Sequence, residues 1–336
     1  MHLAMTHLAH GIELTDMEAQ YDENAKALMA DKQVLARIAK FRTDEFKDYD
    51  IPTIIECIEG EPEISKISVL PEKTSFSPAL EAINGMNTES SIPKEGKITF
   101  DVRFYMVTKV GQHIKIIINI ELQKKYHQKY HFEPRAVFYC ARMLSEQLDR
   151  EFTTENYDAL KKVYSIWIFF DAPQKDSDTI TEYSLEKKDI YGQPVGSWKY
   201  DYLSISFIRL SSNPEKTSKH KLIHMLDTLF SDELSAEKKK LILETKHQMQ
   251  ITRKLEGGIN SMCNVSQGIK EKVFSKGVAQ GISQGISRGI SQGISQGIAQ
   301  GKLDAILDLL REGFISISTA AEKLNLNEDE VSKMLN

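Results

Sequence analysis

The sequence predicts an α/β fold: a mixed sheet flanked by helices, followed by an α-helical C-terminal extension. Three observations predict it. ITFDVRFYMV, residues 98–107, alternates apolar and polar positions with the period of a half-buried strand. KIIINIELQ, residues 115–123, is β-branched and nearly continuous, the pattern of a central strand covered on both faces. Past residue 276, glycine recurs every four residues, a change of character that separates the C-terminal part from the sheet.

Taken in order, residues 16–40 place Ala27, Leu28, Val34, Leu35, Ile38 and Ala39 at helical spacing, predicting one or two amphipathic helices. Residues 48–97 carry five prolines and read as long connections around short strands such as 64–70. On the strand at 98–107, Phe100, Val102, Phe104 and Met106 share one face. Gly111 sits between the two strands, in keeping with a hairpin. Pro134 suits the first turn of a helix reaching Leu148, with Val137, Phe138, Ala141, Leu144 and Leu148 as its apolar positions. VYSIWIFF, residues 163–170, reads as a strand in the same sheet, YLSISFIRL, residues 202–210, as another strand, and residues 219–230 and 235–255 as helices.

Of the seven glycines from Gly277 to Gly301, the first six are followed directly by Val278, Ile282, Ile286, Ile290, Ile294 and Ile298. A period of four on a 3.6-residue helix drifts by about 40° per repeat, so both stripes spiral. Each interior glycine costs about 1 kcal/mol against alanine, so the segment needs a partner or acts as a linker. Beyond it, residues 303–312, 319–324 and 328–335 read as three short helices, with Ser318 and Asn327 as N-caps of the last two. The text therefore divides into a domain at 1–255, the repeat at 256–301, and a helix-turn-helix-like trihelical unit at 302–336.

Composition narrows the function. With 41% hydrophobic residues the chain builds a core, and a net charge of −5 excludes nucleic-acid binding through bulk positive charge. The three cysteines have no paired spacing, which argues against a disulfide framework or a cysteine zinc site and suits a reducing cytoplasm. No apolar run is long enough for a membrane span, and the first twenty residues lack the pattern of a secretory signal. The expectation is a cytoplasmic protein without a membrane partner. There is no P-loop, no GxGxxG after a strand and no GxSxG.

The chemistry concentrates on the two strands. Asp101 stands among apolar neighbours, and Glu121 and Gln123, two apart, point to one face. A carboxylate there is costly unless paired or bound to metal. Two hard oxygen ligands on adjacent strands suit Mg²⁺, with Gln123 placed to orient a water, provided the acids lie on one sheet within about 10 Å. A strand-edge acid paired with Arg103 or a lysine is the plain alternative. Glu89 is a candidate third acid or a turn cap. Residues 101–150 hold nine Lys/Arg against five Asp/Glu, a local excess of four. Lys124, Lys125, Lys129, Arg135 and Arg142 interleave with Tyr126, Tyr130 and Tyr139, which suits phosphate contacts and base stacking, or equally a solvated face. Arg135 and Tyr139 share a helix face. The pairs His127/His131 and His220/His224 have no third ligand and read as surface or core histidines.

These stretches resemble a known family. ITFDVRFYM, IIINIELQKKYHQKYHFEPRAVFYCARMLSEQ and KKVYSIWIFF, with YDENAKALMADKQVLARI, CIEGEPEI and INGMNTES upstream and SMCNVSQGIKEKVFSKG downstream, look like the PD-(D/E)XK nuclease family transposases, relatives of the Rpn recombination-promoting nucleases. The resemblance implies a restriction-endonuclease-like sheet and Mg²⁺-dependent cleavage of DNA phosphodiester bonds, with Mn²⁺ able to substitute. It puts Asp101 and Glu121 at the metal-binding acids and Gln123 at the position more often held by lysine, leaving Lys124 and Lys125 as sources of positive charge. A non-catalytic protein that assembles through residues 277–301 is the competing reading. Groove reading by residues 302–336 is disfavoured by four basic against seven acidic residues there.

Overall fold

The computed structural model describes residues 2–64, 89–92, 96–109, 114–124, 126, 130–196, 199–211 and 218–335. The chain forms two units, residues 1–269 and 270–336.

In the first unit, α1 (His2–Met29) and α2 (Lys32–Arg42) are followed by α3 (Ile51–Glu56). The region around α3 reads as irregular from its prolines, yet Asp50 caps the helix by accepting the Thr53 N–H at 2.8 Å, and Pro52 sits in the first turn, where its missing N–H costs nothing. The six-stranded sheet contains β1 (Glu63–Ile64), β4 (Val102–Val107), β5 (Lys115–Gln123), β6 (Lys162–Phe169), β7 (Thr179–Ser184) and β8 (Leu203–Arg209), in the order β1-β4-β5-β6-β8-β7. β5, β6 and β8 run parallel and the outer pairings are antiparallel, so the sheet is mixed. β2 (Glu89–Ile92) and β3 (Gly96–Thr99) form a separate two-stranded sheet.

The expected strand at 98–107 is therefore two strands broken at Phe100–Asp101. Val102, Phe104 and Met106 join the core with α1 and α2, whereas Phe100 packs in the other core with Trp167. The break moves Phe100 to the face opposite the one its alternation predicts. It also puts Asp101 at the mouth of β4 rather than in mid-strand. β5 keeps both faces buried: Ile116, Ile118 and Ile120 face the α1–α2 side, and Ile117 faces α4 (Phe132–Ser145). The β5–α4–β6 crossover links parallel neighbours, which is why α4 lies across that face.

The buried face of α4 also differs from expectation. Phe132, Ala136, Tyr139, Cys140 and Met143 are buried, while Val137 and Phe138 are about half exposed. The sheet beneath carries Asn119, Glu121 and Ser165 among its apolar side chains, and the α4 face packed on it is likewise of mixed polarity, with Tyr139 and Arg142 among its buried residues. The burial of Arg142 removes it from the residues able to reach a phosphate. The edge strand β7 escapes sequence reading because TITEYS is largely exposed and lacks an apolar face.

On α5 (Lys221–Phe230), burial pushes the Asp227 pKa up to about 7, against the Ser211 N–H that donates to it at 2.9 Å, and Asp178 raises it further. The folded protein thus holds this proton more tightly than the unfolded chain does, so stability falls as pH rises from about 4 through about 7. Asp227→Asn keeps the acceptor and removes the charge. Its thermal midpoint should depend less on pH and exceed wild type near pH 8, by a free energy on the order of 1–2 kcal/mol.

α6 (Ala236–His247) precedes α7 (Arg253–Arg311), a single 59-residue helix whose first turns complete the α1–α2 core through Leu255, Ile259 and Met262. In the second unit α7 carries the whole glycine repeat. Ile306 and Leu307 then pack with α8 (Ile317–Leu324) and α9 (Glu328–Leu335). The N-cap of α8 is Ser316 rather than Ser318, with the Thr319 N–H donating to its hydroxyl. Asn327 forms a capping box: its Oδ1 accepts the Glu330 N–H at 2.8 Å, and its own N–H donates back to the Glu330 carboxylate at 3.0 Å.

Candidate active site

Asp101 and Glu121 meet because β4 and β5 pair in register, Val102 opposite Ile120. The Asp101 backbone N–H points at Glu121 Oε1 across 3.3 Å, and the Leu122 N–H donates to Asp101 Oδ2 at 2.9 Å. Both side chains are almost fully buried, 4% and 2% exposed, so two carboxylates share a place without bulk water.

A third participant comes from α1, and sequence reading missed it. The Lys26 ammonium lies 2.9 Å from Asp101 Oδ1 and 2.8 Å from Asp22 Oδ2, and is 2% exposed. Ala25, Leu28 and Met29 bury their sides of α1 in the core and fix the helix that delivers it. The only signal for it was Asp22 and Lys26 at i,i+4, a spacing that usually marks an exposed pair. Burial lowers the Lys26 pKa, and the Asp101 and Asp22 carboxylates more than offset that, so it is held as a cation above its ordinary value. Burial pushes Asp101 up, against Lys26 and the Leu122 N–H. Burial and the Asp101 charge push Glu121 well up, with Arg135 and the Asn119 amide opposing.

The α4 side supplies the opposite wall. Arg135 donates to the Tyr139 hydroxyl at 2.8 Å and to the Tyr130 hydroxyl at 3.1 Å, and its guanidinium stands over the Trp167 ring, whose residue lies opposite Glu121 on β6. Tyr139 is wedged between Phe100 and Trp167, at 5.4 Å from each, so its ring holds Arg135 in place and presents no free face. Gln123 ends β5, half-buried, on the same strand face as Glu121 and Asn119. Lys124 is half exposed, 3.9 Å from Glu18 and over the Tyr21 ring. Lys125, Lys129 and His127 lie outside the described residues, as does Gly111. Glu89 opens β2 opposite Thr99, in the two-stranded sheet. Arg209, which the sequence did not single out, ends β8 at the same edge as Gln123 and donates to the Tyr126 hydroxyl and to Thr181 Oγ1, both at 3.0 Å.

The donor set fits a hard divalent cation. Asp101 already holds one cation, the Lys26 ammonium, and Glu121 adds a second carboxylate beside it. One or two carboxylates completed by water and phosphate oxygens is the usual Mg²⁺ arrangement. Among the described residues no group of three His, Cys, Asp or Glu side chains is close enough to hold a metal.

The model of the PD-(D/E)XK nuclease family transposases matches residues 78–261, more than half of the chain. The chain belongs to that family. The match spans β4, β5, α4, β6 and β8, and so contains the acid pair, while α1 with Lys26 precedes it. No curated protein and no solved structure matches the chain. Family membership implies a nuclease or transposition role and a DNA substrate. Among the described residues no helix is long and apolar enough to cross a membrane.

Proposed function

We propose that this chain is a metal-dependent DNA endonuclease that hydrolyses phosphodiester bonds in transposition or recombination. The observation that carries the reading is the buried pair Asp101 and Glu121, held by backbone N–H groups at the junction of β4 and β5. These two residues would hold Mg²⁺, or Mn²⁺ in its place. A bound divalent cation supplies charge neutralisation at the phosphate and a more acidic water. The chain's own groups do the rest. The Leu122 N–H fixes Asp101, Gln123 orients water from the Glu121 face, and Arg135, braced by Tyr139 and Tyr130, presents a guanidinium to the phosphate. Lys124 adds positive charge for contact with the DNA backbone, and Lys125 and Lys129 follow it in the sequence. Nicking of supercoiled plasmid tests the reading: cleavage with Mg²⁺ and none with chelator is expected, and an inert wild type in both Mg²⁺ and Mn²⁺ would end it.

A second reading has its own observation. Ile282, Ile286, Ile290, Ile294 and Ile298 are each more than half exposed on α7, and a Cβ added at any of the seven repeat glycines would touch nothing within 4 Å. A helix this apolar and this rich in glycine is stabilised by a second copy, whose backbone approaches along the glycine row. On this reading the chain assembles through residues 277–301, with or without catalysis. Ile286→Glu with Ile290→Glu in the full-length chain should lower the mass measured by light scattering to that of the monomer. An unchanged mass would remove the repeat from assembly.

A further inference from the structure

Gln123 is a neutral amide, so the acid pair lacks the positive charge a lysine on that strand would bring. Lys124, half exposed beside Glu18, is open to water. Lys26 is not. It is buried, it reaches Asp101 Oδ1 at 2.9 Å, and it comes from a helix outside the segment that matches the family. A buried lysine is expensive unless paired, and this one is divided between Asp101 and Asp22.

We propose that Lys26 is the resident cation of the acid pair: it positions Asp101 before metal arrives, and it supplies beside the bound metal the positive charge that Gln123 cannot. The inference rests on the nuclease reading for its catalytic half only. In its binding half, Lys26 and an incoming divalent cation compete for Asp101. Asp22 moderates that competition by drawing the ammonium toward α1.

Substituting Lys26 and substituting Asp22 therefore give opposite expectations. Lys26→Met removes the competitor, and Mn²⁺ measured by isothermal titration calorimetry on the full-length protein should bind about tenfold tighter. Asp22→Asn leaves Lys26 to Asp101 alone, and Mn²⁺ should bind several-fold weaker. At saturating metal, Lys26→Met should nick plasmid at least tenfold more slowly, and adding Gln123→Lys in that background should restore most of the rate, because the charge returns from the neighbouring strand. Lys26→Arg should retain an intermediate rate.

A lysine that merely props up the fold gives a different pattern. Lys26→Met would then bind Mn²⁺ more weakly, Asp22→Asn would shift affinity in the same direction, and Gln123→Lys would rescue nothing. That result overturns the proposal, as would wild-type affinity in both variants. If the wild type binds Mn²⁺ but cuts no DNA, the nuclease reading fails while the calorimetry still decides the role of Lys26. If neither wild type nor Lys26→Met binds Mn²⁺, the proposal fails outright.

Discussion

Asp101→Ala and Glu121→Ala are expected to abolish metal-dependent nicking, with losses on the order of 10³-fold or more, and to weaken divalent-cation binding together with it. Their stabilities should part company. Asp101 accepts the Leu122 N–H and faces the Lys26 ammonium, so its removal leaves a buried donor without its acceptor and a buried cation with less compensation. Asp101→Ala should therefore destabilise the metal-free protein, by about 1–3 kcal/mol. Glu121 sits buried beside another carboxylate, and burial and that neighbour raise its pKa. Glu121→Ala relieves this conflict but removes the acceptor of the Asp101 N–H, so it should cost the metal-free protein less stability than Asp101→Ala does. Paired melting and nicking curves check both statements. An active Glu121→Ala would remove the acid pair from the chemistry, whatever its stability.

Trp167 is the other position of large expected effect. It is fully buried opposite Glu121, packs against Phe132, Tyr139 and Phe207 at 5.4–6.1 Å, and donates its indole N–H to Ser165 Oγ at 2.9 Å. Trp167→Ala empties the centre of the α4 core and should cost about 3–5 kcal/mol by urea unfolding. Trp167→Phe keeps ring contacts and loses the indole donor, so its cost should be smaller, about 1–2 kcal/mol. It also changes the surface beneath the Arg135 guanidinium, and nicking by Trp167→Phe should fall even in the fully folded protein. A Trp167→Ala chain as stable as wild type would show that α4 is not held by this cluster.

Much of the sheet was legible because β4, β5, β6 and β8 carry apolar residues at periods that only strands explain. β5 announces its two covered faces in KIIINIELQ. The break at Phe100–Asp101 was not legible, since ITFDVRFYMV alternates straight through it, and only the pairing of β3 with β2 pulls the chain out of the sheet. The α4 face was not legible either: apolar Val137 and Phe138 outscore Tyr139 and Arg135 in a periodicity count, yet Tyr139 is buried and Val137 and Phe138 are half exposed. Asp101 and Glu121 drew attention as carboxylates among apolar residues, which is a local signal. Lys26 could not, because its meaning depends on a contact seventy-five positions away in the chain. The protein end of that contact is an ordinary helix whose i,i+4 pair resembles many surface pairs.

The uniform unit of the α7 repeat makes the second unit a ruler with a built-in vernier. Adding or removing one four-residue unit leaves the helix unbroken. Each unit lost shortens the stretch between Gly277 and the α8–α9 cluster by about 6 Å and turns that cluster about its axis by about 40°. Copy number therefore sets length and heading at once, and neighbouring lengths present the same cluster to different sides of the helix. Roughly nine units would be needed to bring the heading back to its start. Seven glycines span less than that, so variants with different copy numbers within this range each point the cluster in a direction of their own.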